Sequence, residues 1–198
     1  RLLDKAECRK ELGLPPDRKI LLSVGRINSN KRQAELIELM DKLDPDFDFV
    51  LVIIGHGLEE EEDSLKKVSN ALLEKGKVIF TGYIRGEKLV KYYNSADVFL
   101  MTSFSEAGPV SSMEAIACGV PIITTDTGAV CDFLKEDESG VTVPRDNFQK
   151  FGEEVESFLE GKRIMTADRE KARERYDWNV VARRFIDIYR SALNSYKY

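Results

Sequence analysis

A doubly wound α/β fold, with a mainly parallel sheet of about six strands and helices on both faces, is predicted by three features of this 198-residue chain. Short apolar runs alternate with amphipathic stretches from one end to the other, the pattern of strand–helix units. The apolar runs are continuous rather than alternating, as parallel strands buried on both faces require. The glycine-rich and chemically unusual segments of the first 130 residues follow the apolar runs rather than precede them.

The opening RLLDKAECRKELGL is helix-like and starts without a lead-in, which suggests a piece of a longer protein. KILLSV (19–24) is the first strand, followed by a helix over 31–43. FVLVII (49–54) is the second strand. The helix over 60–74 opens on the acidic run EEEED (59–63), where the helix dipole favours carboxylates. KVIFT (77–81), a helix at 86–95 and VFLM (98–101) come next. Pro109, which has no N–H to lose, then starts a small-residue helix over 110–118. PIITT (121–125), a helix at 128–135 and the weak strand VTV (141–143) complete the sheet. Helices at about 148–160, 166–176 and 179–195 follow, so that 1–198 reads as one domain with a closing helical segment at about 166–195.

Composition narrows the function. With 42% hydrophobic and 33% charged residues, the chain suits one globular domain with a sizeable core. A formal net charge of −5 offers no general attraction for nucleic acid or an anionic membrane. No apolar run approaches the ~20 residues needed to span a bilayer, and no signal peptide opens the chain, so cytoplasm is the expected compartment. Cys8, Cys118 and Cys131 are too few and too scattered for a disulfide framework or a zinc site. Cys118 reads as a small core residue.

In open parallel sheets, ligands sit outside the carboxyl ends of the strands. Those ends carry GRINSNK (25–31), GHG (55–57), GYIRG (82–86), TSFSEAGP (102–109) and TDTGA (125–129), whereas the opposite loops, such as LDPDFDF and EKGK, are ordinary. In GHGLEE, Glu60 occupies the third glycine place of a dinucleotide fingerprint, and no GxxxxGK[ST] exists, which argues against nicotinamide and P-loop nucleotides. Arg26 and Lys31 instead form a local anion site on an acidic protein. Ala107 and Gly108 are small enough for a ligand to reach their amides, and the next helix presents free N–H groups. Glu106 lies in the strand-to-helix loop and Glu114 about one turn inside the helix. Carboxylates so placed either cap the helix or accept hydroxyl groups of a sugar or ribose. Two cations, a helix start and two carboxylates suit a nucleoside diphosphate attached to a sugar.

These residues resemble the C-terminal, Rossmann-like half of GT-B retaining glycosyltransferases of group 1 (family 4). FTGYI…YYNSADVFLMTSFSEAGPVSSMEAIACGVPIITTDTGAVCDFL is similar to that family's donor-binding signature, with its Glu-x7-Glu element on Glu106 and Glu114. The GR-x4-K loop falls on Gly25, Arg26 and Lys31, the V-x-x-G-x-G turn on Val52 to Gly57, and the closing tryptophan helix on YDWNVVARRFIDIYRSAL. The resemblance implies a nucleotide-diphosphate-sugar domain for transfer of a hexosyl group with retention. Arg26 and Lys31 would bind the diphosphate, Glu106 the transferred sugar and Glu114 the ribose. Backbone groups near Tyr83, Ile84 and Arg85 would face the base. Gly25, Ala107, Gly108, Pro109 and Val110 complete the donor set, and Glu106, Arg26 and Lys31 form the catalytic one.

The implied partners are a UDP-, GDP- or ADP-hexose, an absent N-terminal domain and a sugar, lipid or polysaccharide acceptor. Any membrane contact would be peripheral and through that domain, and the isolated fragment would bind without turnover. There are departures: Ala107-Gly108-Pro109 replaces a frequent GFG, His56 a frequent aspartate, and Arg32 a frequent glycine. Asp44-Pro45-Asp46 and Asp46-Phe47-Asp48 match the metal-binding Asp-x-Asp of GT-A enzymes, but they precede a strand, and turn formation explains them. Neither metal nor cofactor is expected. The competing readings are a GT-B nucleotide-sugar epimerase, a glycogen-phosphorylase-like enzyme and a noncatalytic sugar-nucleotide sensor.

Overall fold

Six strands form one sheet in the computed structural model, which describes residues 1–108, 110–128, 131, 134 and 139–195. They are β1 (Lys19–Val24), β2 (Phe49–Ile54), β3 (Val78–Phe80), β4 (Val98–Met101), β5 (Ile122–Thr125) and β6 (Gly140–Val143). Their order is β3-β2-β1-β4-β5-β6, and every pairing is parallel. The order reverses at β1, which pairs with β2 on one side and β4 on the other. The carboxyl ends of β1 and β4 therefore flank the crevice that such a switch point leaves open.

Alternate strand residues feed two cores, as the period of two demands. Ile20, Leu22, Val50, Val52 and Phe99 face one layer. It contains α1 (Lys5–Leu12), α5 (Gly86–Ser95), α6 (Val110–Ala117) and part of α8 (Arg169–Tyr176). Leu21, Leu51, Ile53, Val98 and Leu100 face the other. That layer holds α2 (Gln33–Asp41), α3 (Glu59–Val68), α4 (Asn70–Glu74) and α7 (Phe148–Leu159). All six residues of β2 are buried, which is why FVLVII reads as an unbroken apolar run.

Two local departures have physical causes. The single helix predicted over 60–74 is two helices, divided at buried Ser69, whose hydroxyl donates to the Lys66 carbonyl at 2.7 Å. A side chain that takes a helix carbonyl competes with the helical pattern there. The helix predicted from 31 starts at Gln33, because Arg32 has a left-handed backbone (φ 58°) and stays in the loop. The helix predicted over 128–135 lies largely outside the described residues.

One polar cluster joins the first helix to the sheet. Asp97 accepts from the Ile20 amide (2.7 Å) and Arg9 Nη2 (2.6 Å), with Lys5 Nζ at 2.9 Å. Arg9 also donates to the carbonyls of Ser95 (3.0 Å) and Pro16 (2.7 Å). At the other end of the chain, α9 (Trp178–Ser195) buries no residue and exposes Trp178, Phe185, Ile188, Tyr189 and Leu193. Among the described residues, no helix is long and apolar enough to cross a membrane.

Candidate functional site

Backbone hydrogen bonds join the loops that follow β1, β2 and β3. Gly25 N donates to Ile54 O (2.9 Å), Ile27 N to His56 O (2.9 Å) and Gly55 N to Gly82 O (3.0 Å). A Cβ on Gly55 would lie 1.8 Å from Gly25 O, so only glycine lets the first two loops approach this closely. Asn28 Oδ1 accepts from Lys31 N at 3.0 Å, and Gln33 Nε2 donates to Arg26 O at 2.8 Å. These contacts hold the predicted anion loop in one shape. Arg26 is exposed at its tip, with no hydrogen bond or ion pair to its guanidinium among the described residues.

The Lys31 stem passes Gly25, and its ammonium ends on Glu106 Oε1 in a direct ion pair. The side chains of Lys31 and Glu106 are only 22% and 11% exposed, so solvent screens the pair weakly. Three hydrogen bonds stitch the two loops around it. Thr102 Oγ1 donates to Lys31 O (2.9 Å), Phe104 N to Asn30 O (2.7 Å) and Asn30 Nδ2 to Ser105 O (3.0 Å). Gly128 closes the far side: a Cβ there would lie 2.0 Å from Glu106 O.

Glu114 does not meet Glu106 in a shared pair. It accepts from Tyr93 Oη at 2.8 Å. Burial, and then the Glu114 charge beside it, push the Tyr93 phenol well above its ordinary range, so the tyrosine is a neutral donor. Glu114, Gly108 and Val110 line a cleft of about 600 Å³. Arg169, Arg173 and Trp178 also line it. Ala107 and Gly108 are exposed, and a Cβ on Gly108 would meet nothing within 4 Å, so their backbone is open to a ligand. Pro109 lies outside the described residues.

Tyr83 is 63% exposed and stacks edge-on against His56, with ring centroids 5.1 Å apart. Ile84 packs partly into the core, and Arg85 is exposed. His56 is thus a loop residue whose carbonyl is used in the Ile27 contact and whose ring supports Tyr83. The Asp-x-Asp letters fall at the opposite end of the strands, just before β2, where Asp44 Oδ1 and O accept from the amides of Asp46 (2.9 Å) and Phe47 (3.1 Å) in a turn. Among the described residues, no group of three or more His, Cys, Asp or Glu side chains converges as a metal site would require.

Sequence reasoning missed three site residues. Thr102 gave no signal beyond its place at a strand end. Tyr93 reads as one more apolar position of an amphipathic helix, and only the fold shows its hydroxyl reaching Glu114. Gly128 stands in a glycine-containing strand end, the one available hint of a close approach.

The loops after β1 and β4 offer an exposed guanidinium, an ammonium–carboxylate pair and exposed backbone at Ala107 and Gly108, and α6 adds a second carboxylate. Such a set can bind an anion beside hydroxyl groups. The sequence profile of the glycosyl transferases group 1 matches residues 4–176. A protein of Methanocaldococcus jannaschii named an uncharacterized glycosyltransferase is 28% identical over 96% of this chain and 49% of its own length. The solved sucrose-phosphate synthase of Thermosynechococcus elongatus superposes with a TM-score of 0.82 at 24% identity, covering 98% of this chain and 50% of that one. Anabaena HepE in complex with UDP superposes with a TM-score of 0.75 at 18% identity, over 95% and 52%. HepE is also solved with UDP-glucose. The chain thus spans about half the length of each of these proteins, and it has the fold of the solved ones. With the family profile running through the loops that build this crevice, the chain belongs to the glycosyl transferases group 1 family.

Proposed function

We propose that this is the nucleotide-sugar-binding domain of a group 1 hexosyltransferase, its donor seated at the carboxyl ends of β1 and β4. The observation that carries the proposal is the Lys31–Glu106 pair, which joins the loop after β1, where Arg26 is exposed, to the loop that leads into α6. Arg26 and Lys31 take the diphosphate, Glu106 the transferred sugar, and Glu114 the ribose hydroxyls. The backbone of Tyr83, Ile84 and Arg85 faces the base, and Gly25, Ala107, Gly108, Pro109 and Val110 line the donor. The UDP and UDP-glucose complexes of the similarly folded HepE support this class of ligand.

In this scheme the cations are in place before the leaving diphosphate develops its charge, so they need not reorganise as the bond to the anomeric carbon breaks. Glu106 positions the sugar. No protein nucleophile, metal or cofactor is required, and transfer proceeds with retention. The acceptor is held mostly by an N-terminal domain outside this chain. The isolated domain binds its donor without turnover in this reading.

Calorimetry with UDP, GDP and ADP, alone and as glucose conjugates, tests the reading. Lys31→Ala should weaken the diphosphate that binds by roughly ten- to a hundredfold, about 1.5–3 kcal/mol for a charge-assisted contact, and leave the nucleoside unaffected. Equal losses for nucleoside and diphosphate would place Lys31 away from the phosphates. Glu114→Gln should reduce affinity for the ribonucleotide more than for its 2′,3′-dideoxy counterpart, since a neutral amide is the weaker acceptor of ribose hydroxyls. A uniform loss would instead point to a scaffold role through Tyr93.

A further inference from the structure

We infer that the Lys31–Glu106 pair lets the site distinguish the sugar-bearing donor from the free nucleoside diphosphate it becomes. The inference rests on the donor-site reading above. The two residues, assigned there to different parts of the donor, touch each other when the site is empty. Any phosphate that takes Lys31 must therefore compete with a carboxylate already bound to it.

That carboxylate cannot step aside by moving its backbone. Thr102 Oγ1 and the Phe104 amide tie its loop to Lys31 O and Asn30 O, and Asn30 Nδ2 holds Ser105 O. Gly128 packs so tightly on Glu106 O that a Cβ would stand 2.0 Å away. The Glu106 charge remains within reach of whatever group Lys31 binds, and both side chains are mostly withdrawn from solvent.

The two ligands present opposite chemistry to this fixed charge. A nucleotide sugar ends in hydroxyl groups, which donate to a carboxylate and compensate it as Lys31 turns to the diphosphate. A free nucleoside diphosphate ends in a phosphate with a second ionisation near pH ~6, which accepts only and adds negative charge at neutral pH. Glu106 attracts the first and repels the second. The same carboxylate that orients the sugar therefore weakens retention of the product once the sugar has left.

The test is calorimetry on the 198-residue chain with UDP, GDP and ADP and their glucose conjugates, read for the base that binds. Glu106→Gln keeps the size and removes the charge. It should tighten the free diphosphate roughly tenfold, the equivalent of about 1.4 kcal/mol, while leaving the glucose conjugate unchanged or weaker. Melting temperature on the same preparations confirms that the variant is folded. If it is not, Glu106→Asp, which keeps the charge but draws it back by one methylene, should shift the same ratio in the same direction and by less, and no shift would overturn the discrimination. Lys31→Ala serves as the control for the site itself. Should it change neither ligand, the donor-site reading fails. Should it weaken both while Glu106→Gln weakens the free diphosphate or leaves it unchanged, only the discrimination is overturned.

Discussion

Asp97→Ala should destabilise the domain by about 3 kcal/mol, the lower end of the range for removing one partner of a buried ion pair. Asp97 joins three things at once: the Ile20 amide at the start of β1, the buried Arg9 guanidinium of α1, and Lys5. Arg9 keeps its bonds to the Ser95 and Pro16 carbonyls, which is why the loss is not larger. A chemical denaturation series reads the effect. A change under about 1 kcal/mol would put this pair with solvent-exposed salt bridges.

The same carboxylate links stability to pH. Burial pushes its pKa up, but the Ile20 amide, then Lys5 and Arg9, outweigh burial and hold it below the ordinary value. A depressed folded-state pKa gives stability that is fully present above the unfolded value, near ~4, and is lost as pH falls through the folded one. Asp97→Asn should therefore flatten the acid limb of the stability curve. An unchanged limb in that variant would assign the acid sensitivity to other carboxylates.

What the sequence made legible and what it hid follow from range. β2 could be read directly, because a strand covered on both faces needs apolar residues at every position. The crevice could be located because the unusual residues cluster at one end of the strands, a property of order along the chain. Breaks set by one side chain were less visible. Ser69 divides a helix within an amphipathic run that shows no proline or glycine. Arg32 holds a backbone shape usually left to glycine, with its guanidinium stacked 4.2 Å over the Phe148 ring and donating to Arg145 O. Neither partner is near it in sequence. Pairings across the sheet were hidden for the same reason. Glu106 and Glu114 stand out as a spaced pair, yet one binds Lys31 and the other Tyr93, across 75 and 21 residues.

Gly128→Ala should have the other large effect, and comparison with Gly161→Ala isolates its cause. Both glycines have positive φ, 60° and 72°, so an alanine at either position pays the left-handed penalty of roughly 1–2 kcal/mol. Around Gly161 a Cβ would meet nothing within 4 Å, and that penalty is the whole expected loss. At Gly128 the Cβ would stand 2.0 Å from the Glu106 carbonyl oxygen and 3.0 Å from its carbon. Backbone must move to relieve such a contact, which adds about 1–3 kcal/mol. The residue that must move carries the carboxylate paired with Lys31, so the damage reaches the site. Gly128→Ala should lose roughly tenfold or more in affinity for the glucose conjugate that the wild type binds, comparable to losing one charge-assisted contact. Gly161→Ala should keep that affinity. Denaturation and calorimetry on the two variants separate the outcomes. Equal stabilities and equal affinities would mean that the loop carrying Glu106 has room to yield, and that Gly128 does not fix its position.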